Sequence, residues 1–124
     1  MKKIVLVTCV APKRNYKCAA KDLYQGDLFK QLMDFAHSQN PDKIFILSGK
    51  HHLLKLEEEI APYDVNLNQV SATALKTWSD KVLNQLEAEG CDLKADYFYL
   101  LTNETYRRHL VPSIKHFEKP FHIE

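Results

Sequence analysis

The sequence predicts an α/β domain with a mostly parallel sheet of about four to five strands and helices on both faces. Apolar segments rich in β-branched residues alternate with segments of helical periodicity along the 124 residues. That order is typical of parallel sheets whose two faces are covered by helices. Because no repeat, low-complexity tract or linker interrupts it, we expect 1–124 to form a single domain with one hydrophobic core.

The first half of the chain predicts two buried strands separated by a helix. In order, the elements are a strand at 3–10, a loop at 11–17, a helical turn at 19–23, a helix at 27–38 and a strand at 43–48. The first segment is apolar and β-branched, as buried strands are. Apolar residues recur on one face of the helix, and Asn40-Pro41-Asp42 ends it.

The second half predicts a long helix and one or two further strands. In order, we expect an irregular segment at 51–68, a helix from an N-cap at Ser71 to about Glu89, a strand at 96–101, a short helix capped by Thr102 or Asn103, and a final strand at 117–123. Pro62 argues against a long helix in the irregular segment. Gly90 lies just beyond the long helix, where a C-terminal glycine is common.

Composition excludes several classes of protein. Hydrophobic residues make up 45% and charged residues 27% of the chain, which is ordinary for a globular domain. No apolar run approaches the roughly 20 residues that span a bilayer, so no membrane association is expected. The start, Met1-Lys2-Lys3, resembles the charged region of a secretory signal, but the apolar run behind it is short and has no small-residue cleavage site. We expect a first strand there.

Cysteine and charge counts favour a cytoplasmic protein without deciding its partners. Cys9, Cys18 and Cys91 are an odd number with no Cys-x-x-Cys pair, which fits free thiols in a reducing compartment. The net charge is +1, whereas nucleic-acid-binding proteins usually carry a clear basic excess. A DNA contact would therefore need a local patch. The candidates are Lys13-Arg14-Lys17-Lys21 and Arg107-Arg108.

Polar residues follow three of the predicted strands. They are Cys9 after the first, Ser48 and Lys50 after the second, and Thr102-Asn103 after the third. The carboxyl ends of parallel strands lie on one edge of a sheet, where ligands bind. We expect the functional site at that edge.

Cys9 is the candidate nucleophile. A cysteine at its ordinary pKa is only a few per cent thiolate at neutral pH. Lys13, Lys50 or a helix N-terminus near the sulfur would favour the anion. The alternative is a buried structural thiol at the end of a core strand, because cysteine is among the most buried residue types.

Ser48 and Lys50 have two interpretations. They are either a hydroxyl with an activating amine, or two groups that bind a phosphate or carboxylate, with Gly49 allowing a close backbone approach. No phosphate-binding P-loop is present, because that motif needs its lysine after a glycine-rich run. Ligand positioning is the favoured role.

Asp64 and several aromatic and basic side chains are further candidates. Asp64 follows Pro62-Tyr63 and is expected to act as a general base, or to hydrogen-bond a ribose or base edge; a turn residue bonded to the backbone is the alternative. Three tyrosines are candidate stacking faces for a nucleobase, or else half-buried core residues. They are Tyr24, Tyr63 and Tyr106. Asn103 and Arg107 are additional candidate ligand contacts.

Neither a metal nor a cofactor is predicted. His51 and His52 are adjacent, and side chains of adjacent extended residues point in opposite directions. The other histidines are scattered, and no His-x-x-x-His or Cys-x-x-Cys spacing completes a ligand set.

Several motifs occur in the order seen in a known family. They are Leu23-Tyr24-Gln25-Gly26-Asp27-Leu28-Phe29, Leu47-Ser48-Gly49, Leu53-Leu54, Ile60-Ala61-Pro62-Tyr63-Asp64, Trp78 and Asn103-Glu104-Thr105-Tyr106. This series resembles the YaaA-like peroxide-stress protein family. The chain also resembles a group of short bacterial proteins of unknown function, in which the first strand ends in Cys followed by a small residue and Lys. Two departures from the first family are Lys50-His51-His52, where an aromatic residue and glycine are usual, and Asp64, where a basic residue is usual.

The resemblance implies a Rossmann-like core and a role near nucleic acids. Peroxide-stress proteins of this kind are associated with DNA binding and with limiting oxidative DNA damage. Relatives also occur among proteins that install deazaguanine bases in DNA, which implies nucleobase chemistry. The leading hypothesis is an enzyme acting on a nucleobase or nucleotide in nucleic-acid modification or damage. The alternative is a non-catalytic DNA-binding stress protein.

Overall fold

A computed structural model describes residues 1–9, 13–65 and 67–123 of the protein. The strands are β1 (Lys3–Thr8), β2 (Cys18–Ala19), β3 (Lys43–Ser48), β4 (His52–Lys55), β5 (Glu59–Ile60), β6 (Tyr97–Leu101) and β7 (His116–Glu118). The α-helices are α1 (Ala20–Leu23), α2 (Asp27–Ser38), α3 (Ala72–Ala88) and α4 (Glu104–Arg107), and 3₁₀ turns cover Leu67–Gln69 and Val111–Ser113. None of the helices in these ranges combines the length and apolar character needed to cross a membrane.

Within the part of the chain that the structure describes, the main sheet has five strands in the order β4-β3-β1-β6-β7. Strands β3, β1, β6 and β7 are parallel, and only β4 runs antiparallel to its neighbour β3. Val5 lies at the centre, level with Ile44 on one side and Tyr99 on the other. This arrangement confirms the predicted Rossmann-like α/β fold with a mostly parallel sheet.

Two hydrophobic clusters, one on each face of the sheet, hold the fold together. Alternate residues of β1 point to opposite faces, as the period of a strand requires. Ile4 and Leu6 pack with α3, whereas Val5 and Val7 pack with α2. The two crossovers run in opposite directions across the sheet, which places their helices on opposite faces. The prediction of helices on both faces is confirmed.

The strand order reverses direction at β1. The chain moves from β1 to β3 on one side and then crosses to β6 on the other. The carboxyl edge between β1 and β6 is therefore the topological switch point, where open α/β sheets bind ligands.

The boundaries of α3 follow the signals read from the sequence. The Ser71 hydroxyl accepts a hydrogen bond from the Ala74 N–H at 3.1 Å, which confirms the predicted N-cap. Beyond the other end, Gly90 has φ of 87°, a left-handed conformation that glycine adopts without a steric cost. Burial of the apolar face against the sheet, not propensity alone, then stabilises the helix.

Three predicted boundaries need correction. The segment 51–68 is not irregular throughout, because β4 pairs with β3 and buries Leu53 and Leu54. The first strand ends at Thr8, and position 10 of the predicted strand lies outside the described residues. The last strand is His116–Glu118 and not 117–123, since Pro120 has no N–H to donate to a ladder.

Asp96 joins the start of β6 to the N-terminal segment. Its buried carboxylate accepts from the backbone N–H of Lys2 at 2.9 Å and of Asp92 at 2.8 Å. Burial alone would raise the pKa of this carboxyl, but these hydrogen bonds and the Lys2 ammonium outweigh it and hold the pKa below its ordinary value.

The low pKa of Asp96 predicts a loss of stability in acid. A pKa that is lower in the folded state contributes stability above the unfolded pKa of about 4, and this contribution is lost as the pH falls through the folded pKa. Between about pH 6 and about pH 2, we expect the wild type to lose about 1 kcal/mol more free energy of unfolding than Asp96→Asn does. Urea unfolding at a series of pH values measures this difference. Identical pH dependence in the two proteins would contradict the assignment.

Candidate functional site

Cys9 and Tyr106 meet at the topological switch point. Cys9 follows β1 directly, and its N–H donates to the Leu47 carbonyl at 2.9 Å, which holds the residue at the strand end. Its half-buried thiol lies 3.3 Å from the hydroxyl of Tyr106, a residue of the helix that follows β6. The structure thus brings together two predicted site residues that are 97 positions apart.

Three hydroxyl groups form a hydrogen-bonded chain beside this pair. The Ser48 hydroxyl, at the end of β3, accepts from the His51 N–H at 3.0 Å and donates to the Tyr63 hydroxyl at 2.7 Å. The Tyr63 hydroxyl is in turn hydrogen-bonded to that of Tyr24. We call Cys9, Ser48, Tyr24, Tyr63 and Tyr106 the thiol–hydroxyl cluster. All five residues were predicted as site residues.

The three tyrosines of the cluster are neutral hydrogen-bond donors. Burial raises the pKa of Tyr24, Tyr63 and Tyr106 well above the usual range of a phenol, and a negative charge on Cys9 raises it further. Both causes disfavour the phenolate, because a second anion would lie in a poorly solvated place next to the first. The cluster therefore offers a thiol in contact with one O–H group, that of Tyr106, and two further neutral phenols within electrostatic reach.

Lys13 adds a positive charge over the ring faces of the tyrosines. Its ammonium lies 4.9 Å from the ring centroid of Tyr63 and 5.8 Å from that of Tyr24. An isolated backbone bridge between Lys13 and Tyr24 fixes the position of this lysine. A cation at these distances is attracted by the aromatic quadrupole. This attraction holds the Lys13 ammonium against the rings of Tyr24 and Tyr63.

Gly49 is needed because of close packing around its backbone. A Cβ atom at this position would lie 3.1 Å from the Val65 carbonyl oxygen, 3.3 Å from a Val65 methyl group and 3.5 Å from the Tyr106 hydroxyl. The close backbone approach that the sequence predicts therefore occurs between segments of the protein itself.

Asn103 and Arg107 hold the helix that carries Tyr106. The Asn103 side chain accepts from the Tyr106 N–H at 3.1 Å and caps α4. The Arg107 guanidinium donates to the Thr102 carbonyl at 2.7 Å and lies 3.4 Å from the Glu104 carboxylate. Both predicted ligand contacts are thus engaged in positioning α4.

Lys50 and Asp64 lie apart from the cluster. Lys50 is exposed in the turn between β3 and β4, where it lines an outer groove with Val70 and Trp78. Asp64 is also exposed, and within the described ranges no hydrogen bond or ion pair joins it to Cys9. The structure does not bring these two predicted residues into contact with the thiol.

Trp78 and His51 pack against tyrosines of the cluster, and His52 packs against Trp78. The Trp78 N–H donates to the Ser48 carbonyl at 2.9 Å, and its ring packs edge-on against Tyr106 at 5.4 Å. His51 lies edge-on to Tyr63 at 5.3 Å, whereas His52 stacks on Trp78. The sequence placed Trp78 in the series of family motifs but did not predict its bond to Ser48, because a partner 30 residues away leaves no local signal.

His51 and His52 contact different aromatic rings, those of Tyr63 and Trp78. Burial, first of all, lowers the pKa of both His51 and His52 below the usual value. His52 adopts φ of 66°, a left-handed conformation that is uncommon for residues other than glycine. Among residues 1–9, 13–65 and 67–123, no three His, Cys, Asp or Glu side chains lie together so as to hold a metal ion.

Residues 4–123 match a family described as "Family of unknown function (DUF6884)". No curated protein and no solved structure matches the chain. The family match confirms the resemblance to proteins of unknown function, whereas the resemblance to the YaaA-like peroxide-stress proteins stays a prediction.

Proposed function

The chain belongs to DUF6884, a family of unknown function, and we propose that it is a nucleotide- or nucleobase-binding enzyme with Cys9 as its nucleophile. The supporting observation is the 3.3 Å contact between the Cys9 thiol and the Tyr106 hydroxyl at the point where the strand order reverses. Ligands of open α/β sheets bind in the crevice at this point. The proposed nucleophile therefore lies at the position where folds of this class bind their ligands.

The chemistry of the cluster suits a sulfur nucleophile. A thiolate attacks carbon more readily than a thiol does, and nearby O–H donors and a cation stabilise anionic species. Tyr106 is in contact with the sulfur, and Tyr24 and Tyr63 lie close enough for a charge on Cys9 to act on them. In this scheme Ser48 positions Tyr63 and is not itself a nucleophile.

Two lysines and the resemblance to the YaaA-like family are the grounds for proposing a nucleotide as the ligand. Lys13, at the ring faces of the cluster, is proposed to contact a ligand phosphate, and exposed Lys50 and Asp64 are proposed to orient parts of a ligand outside the cluster. The YaaA-like motifs add a nucleic-acid context. We accordingly propose a nucleobase in nucleic-acid modification or damage as the object of the reaction.

The contacts of the basic residues give less support to a purely DNA-binding role. The Arg14 guanidinium donates to the Asp22 carbonyl at 2.8 Å, Arg107 donates to the Thr102 carbonyl, and Lys21 is paired with acidic neighbours. These internal contacts compete with phosphate contacts. Fluorescence anisotropy with duplex and single-stranded DNA at two salt concentrations tests this alternative, because phosphate binding must weaken as salt rises.

Alkylation of the three free thiols tests the enzymatic proposal. Cys9 and Cys18 are both half-buried, and Cys91 is buried, so Cys18 is an internal control for access. We expect iodoacetamide to modify Cys9 faster than Cys18, and bases or nucleotides from a panel to protect Cys9 selectively. Peptide mass mapping measures both effects. If Cys9 reacts no faster than Cys18 and no panel member protects it, Cys9 is not a nucleophile in a nucleotide site.

A further inference from the structure

A groove outside the thiol–hydroxyl cluster has the size of a small-molecule site. The outer groove is a cavity of about 440 Å³ between the β3–β4 hairpin and α3. The hairpin contributes Lys50 and His52, the segment before α3 contributes Val65 and Val70, and α3 contributes Trp78. Proteins bind small molecules in concave cavities of this volume that have a mostly apolar lining and a few polar groups.

Apolar side chains of the outer groove are accessible to a ligand. Val65 and Val70 are each 37% exposed, although both are aliphatic. Single exposed aliphatic residues are ordinary at protein surfaces, but these two border the same cavity as Trp78. A flat ring laid over them would remove apolar surface from water, which is favourable.

His52 adds an aromatic ring to the groove at a strained backbone position. Its φ of 66° is a left-handed conformation, which glycine adopts freely but which costs a histidine energy. The imidazole is nearly parallel to the Trp78 ring, with 25° between the planes and 6.5 Å between the centroids. Strain of this kind clusters at ligand sites. His52 thus places a ring at the groove where glycine would be the less strained residue.

The charged groups at the groove are basic. Lys50 is exposed, and within residues 1–9, 13–65 and 67–123 no ion pair joins its ammonium to an acidic side chain. Lys81 is also exposed and follows Thr77, another lining residue, by about one turn of α3. Asp64 is next to Val65 in the chain but is not among the described residues that line the cavity. A ligand with negative charge therefore fits this lining better than a cation does.

We infer that the outer groove is a binding site for a small molecule that combines a flat apolar ring with one negatively charged group, such as an aromatic carboxylate or an aryl phosphate. The ring lies against the side chains of His52 and Val70, and the anionic group pairs with the Lys50 ammonium. This site goes beyond the proposed function, because the Cys9 thiol is not among the described groups that line the groove. Lys13 remains the phosphate contact proposed at the thiol–hydroxyl cluster.

Binding of 1-naphthoate tests the site through a single NMR signal. Trp78 is the one tryptophan of the chain, so its indole N–H gives one resonance in a ¹⁵N correlation spectrum. We expect 1-naphthoate to shift this resonance saturably, with a Kd below about 1 mM. The uncharged 1-naphthamide should bind at least about threefold more weakly, because it has no charge to pair with Lys50. Acetate, which has no ring, should not saturate the signal up to about 10 mM.

Matched variants assign the binding to the groove. Val70→Asp replaces an apolar contact by a negative charge and should raise the Kd of 1-naphthoate about tenfold. Leu28→Asp is the control, because Leu28 is 40% exposed on α2, across the sheet from α3; its Kd should stay within about twofold of the wild-type value. Lys50→Gln should weaken 1-naphthoate about threefold and leave 1-naphthamide unchanged. His52→Gly relieves the backbone strain, so the Kd should rise about threefold while the melting temperature does not fall.

The outcomes decide the inference without reference to the chemistry of Cys9. Saturable binding of 1-naphthoate that is weakened by Val70→Asp and Lys50→Gln, but not by Leu28→Asp, supports it. An indole signal that does not respond, equal affinity for 1-naphthamide, or equal effects of the two aspartate variants overturns it, and so does an unchanged Kd in His52→Gly. Far-UV circular dichroism shows whether each variant folds, and Lys50→Gln, an exposed change, keeps the test available if Val70→Asp does not fold.

Discussion

Replacing Trp78 with alanine should lower the free energy of unfolding by about 3–5 kcal/mol. The side chain is 4% exposed and lies in the hydrophobic cluster between α3 and the sheet. Its removal leaves a cavity beside Tyr106, and it leaves the Ser48 carbonyl without the indole N–H at 2.9 Å. Such a loss is a large part of the stability of a small domain. Urea unfolding followed by circular dichroism measures it.

Trp78→Phe separates the two contributions. The phenyl ring fills most of the space but cannot donate to the Ser48 carbonyl, so a cost of about 1–2 kcal/mol is expected. We expect this variant to remain folded at 25 °C, which makes it suitable for measuring Cys9 alkylation. A Trp78→Ala protein with nearly wild-type stability would mean that α3 does not pack on the sheet as described.

Gly49→Val should lower the free energy of unfolding by about 3 kcal/mol and should also displace groups of the thiol–hydroxyl cluster. The first added carbon would lie 3.1 Å from a backbone oxygen of Val65, which can move only if the chain moves. The same carbon approaches the Tyr106 hydroxyl, the group in contact with the Cys9 thiol. We therefore expect a changed rate of Cys9 alkylation in addition to the lower unfolding free energy.

Two alanine variants distinguish crowding from glycine conformation. Gly49→Ala adds only the first carbon and should cost about 1 kcal/mol. At Gly90, a Cβ would meet only the Lys2 ammonium, at 3.9 Å, but the residue has φ of 87°. Gly90→Ala should therefore lose stability by about 1 kcal/mol through backbone strain, with Cys9 alkylation unchanged. Equal alkylation rates in Gly49→Val and Gly90→Ala would contradict a link between Gly49 and the cluster.

Local pattern was enough to predict most of the fold. Three kinds of feature depend on neighbouring residues in the sequence and could therefore be predicted directly. They are the apolar runs that form β1, β3 and β6, the helical periodicity of α2 and α3, and the N-cap at Ser71. The hairpin of β3 and β4 was missed because Leu53 and Leu54 are too short a run to distinguish a strand from a loop. Its antiparallel pairing depends on the turn and on the edge of a sheet that already exists.

The grouping of the candidate residues at strand ends could be predicted, whereas the contacts between them could not. Placing Cys9, Ser48 and Asn103 at strand ends followed from the rule that the carboxyl ends of parallel strands share an edge. That rule says nothing about which groups touch. The contacts of Cys9 with Tyr106 and of Ser48 with Tyr63 depend on loops whose paths are set by packing across the whole domain.

The sequence by itself determined the α/β class, the buried strands and the edge of the sheet at which chemistry-bearing residues gather, because these follow from short-range periodicity and strand ends. Only the tertiary structure decided that the Tyr106 hydroxyl contacts the Cys9 thiol, that Asn103 and Arg107 position a helix, and that Lys50 and Asp64 lie at the surface. The reason is physical: hydrogen bonds and burial of side chains are set by distances between segments far apart in the chain, and no local pattern encodes those distances.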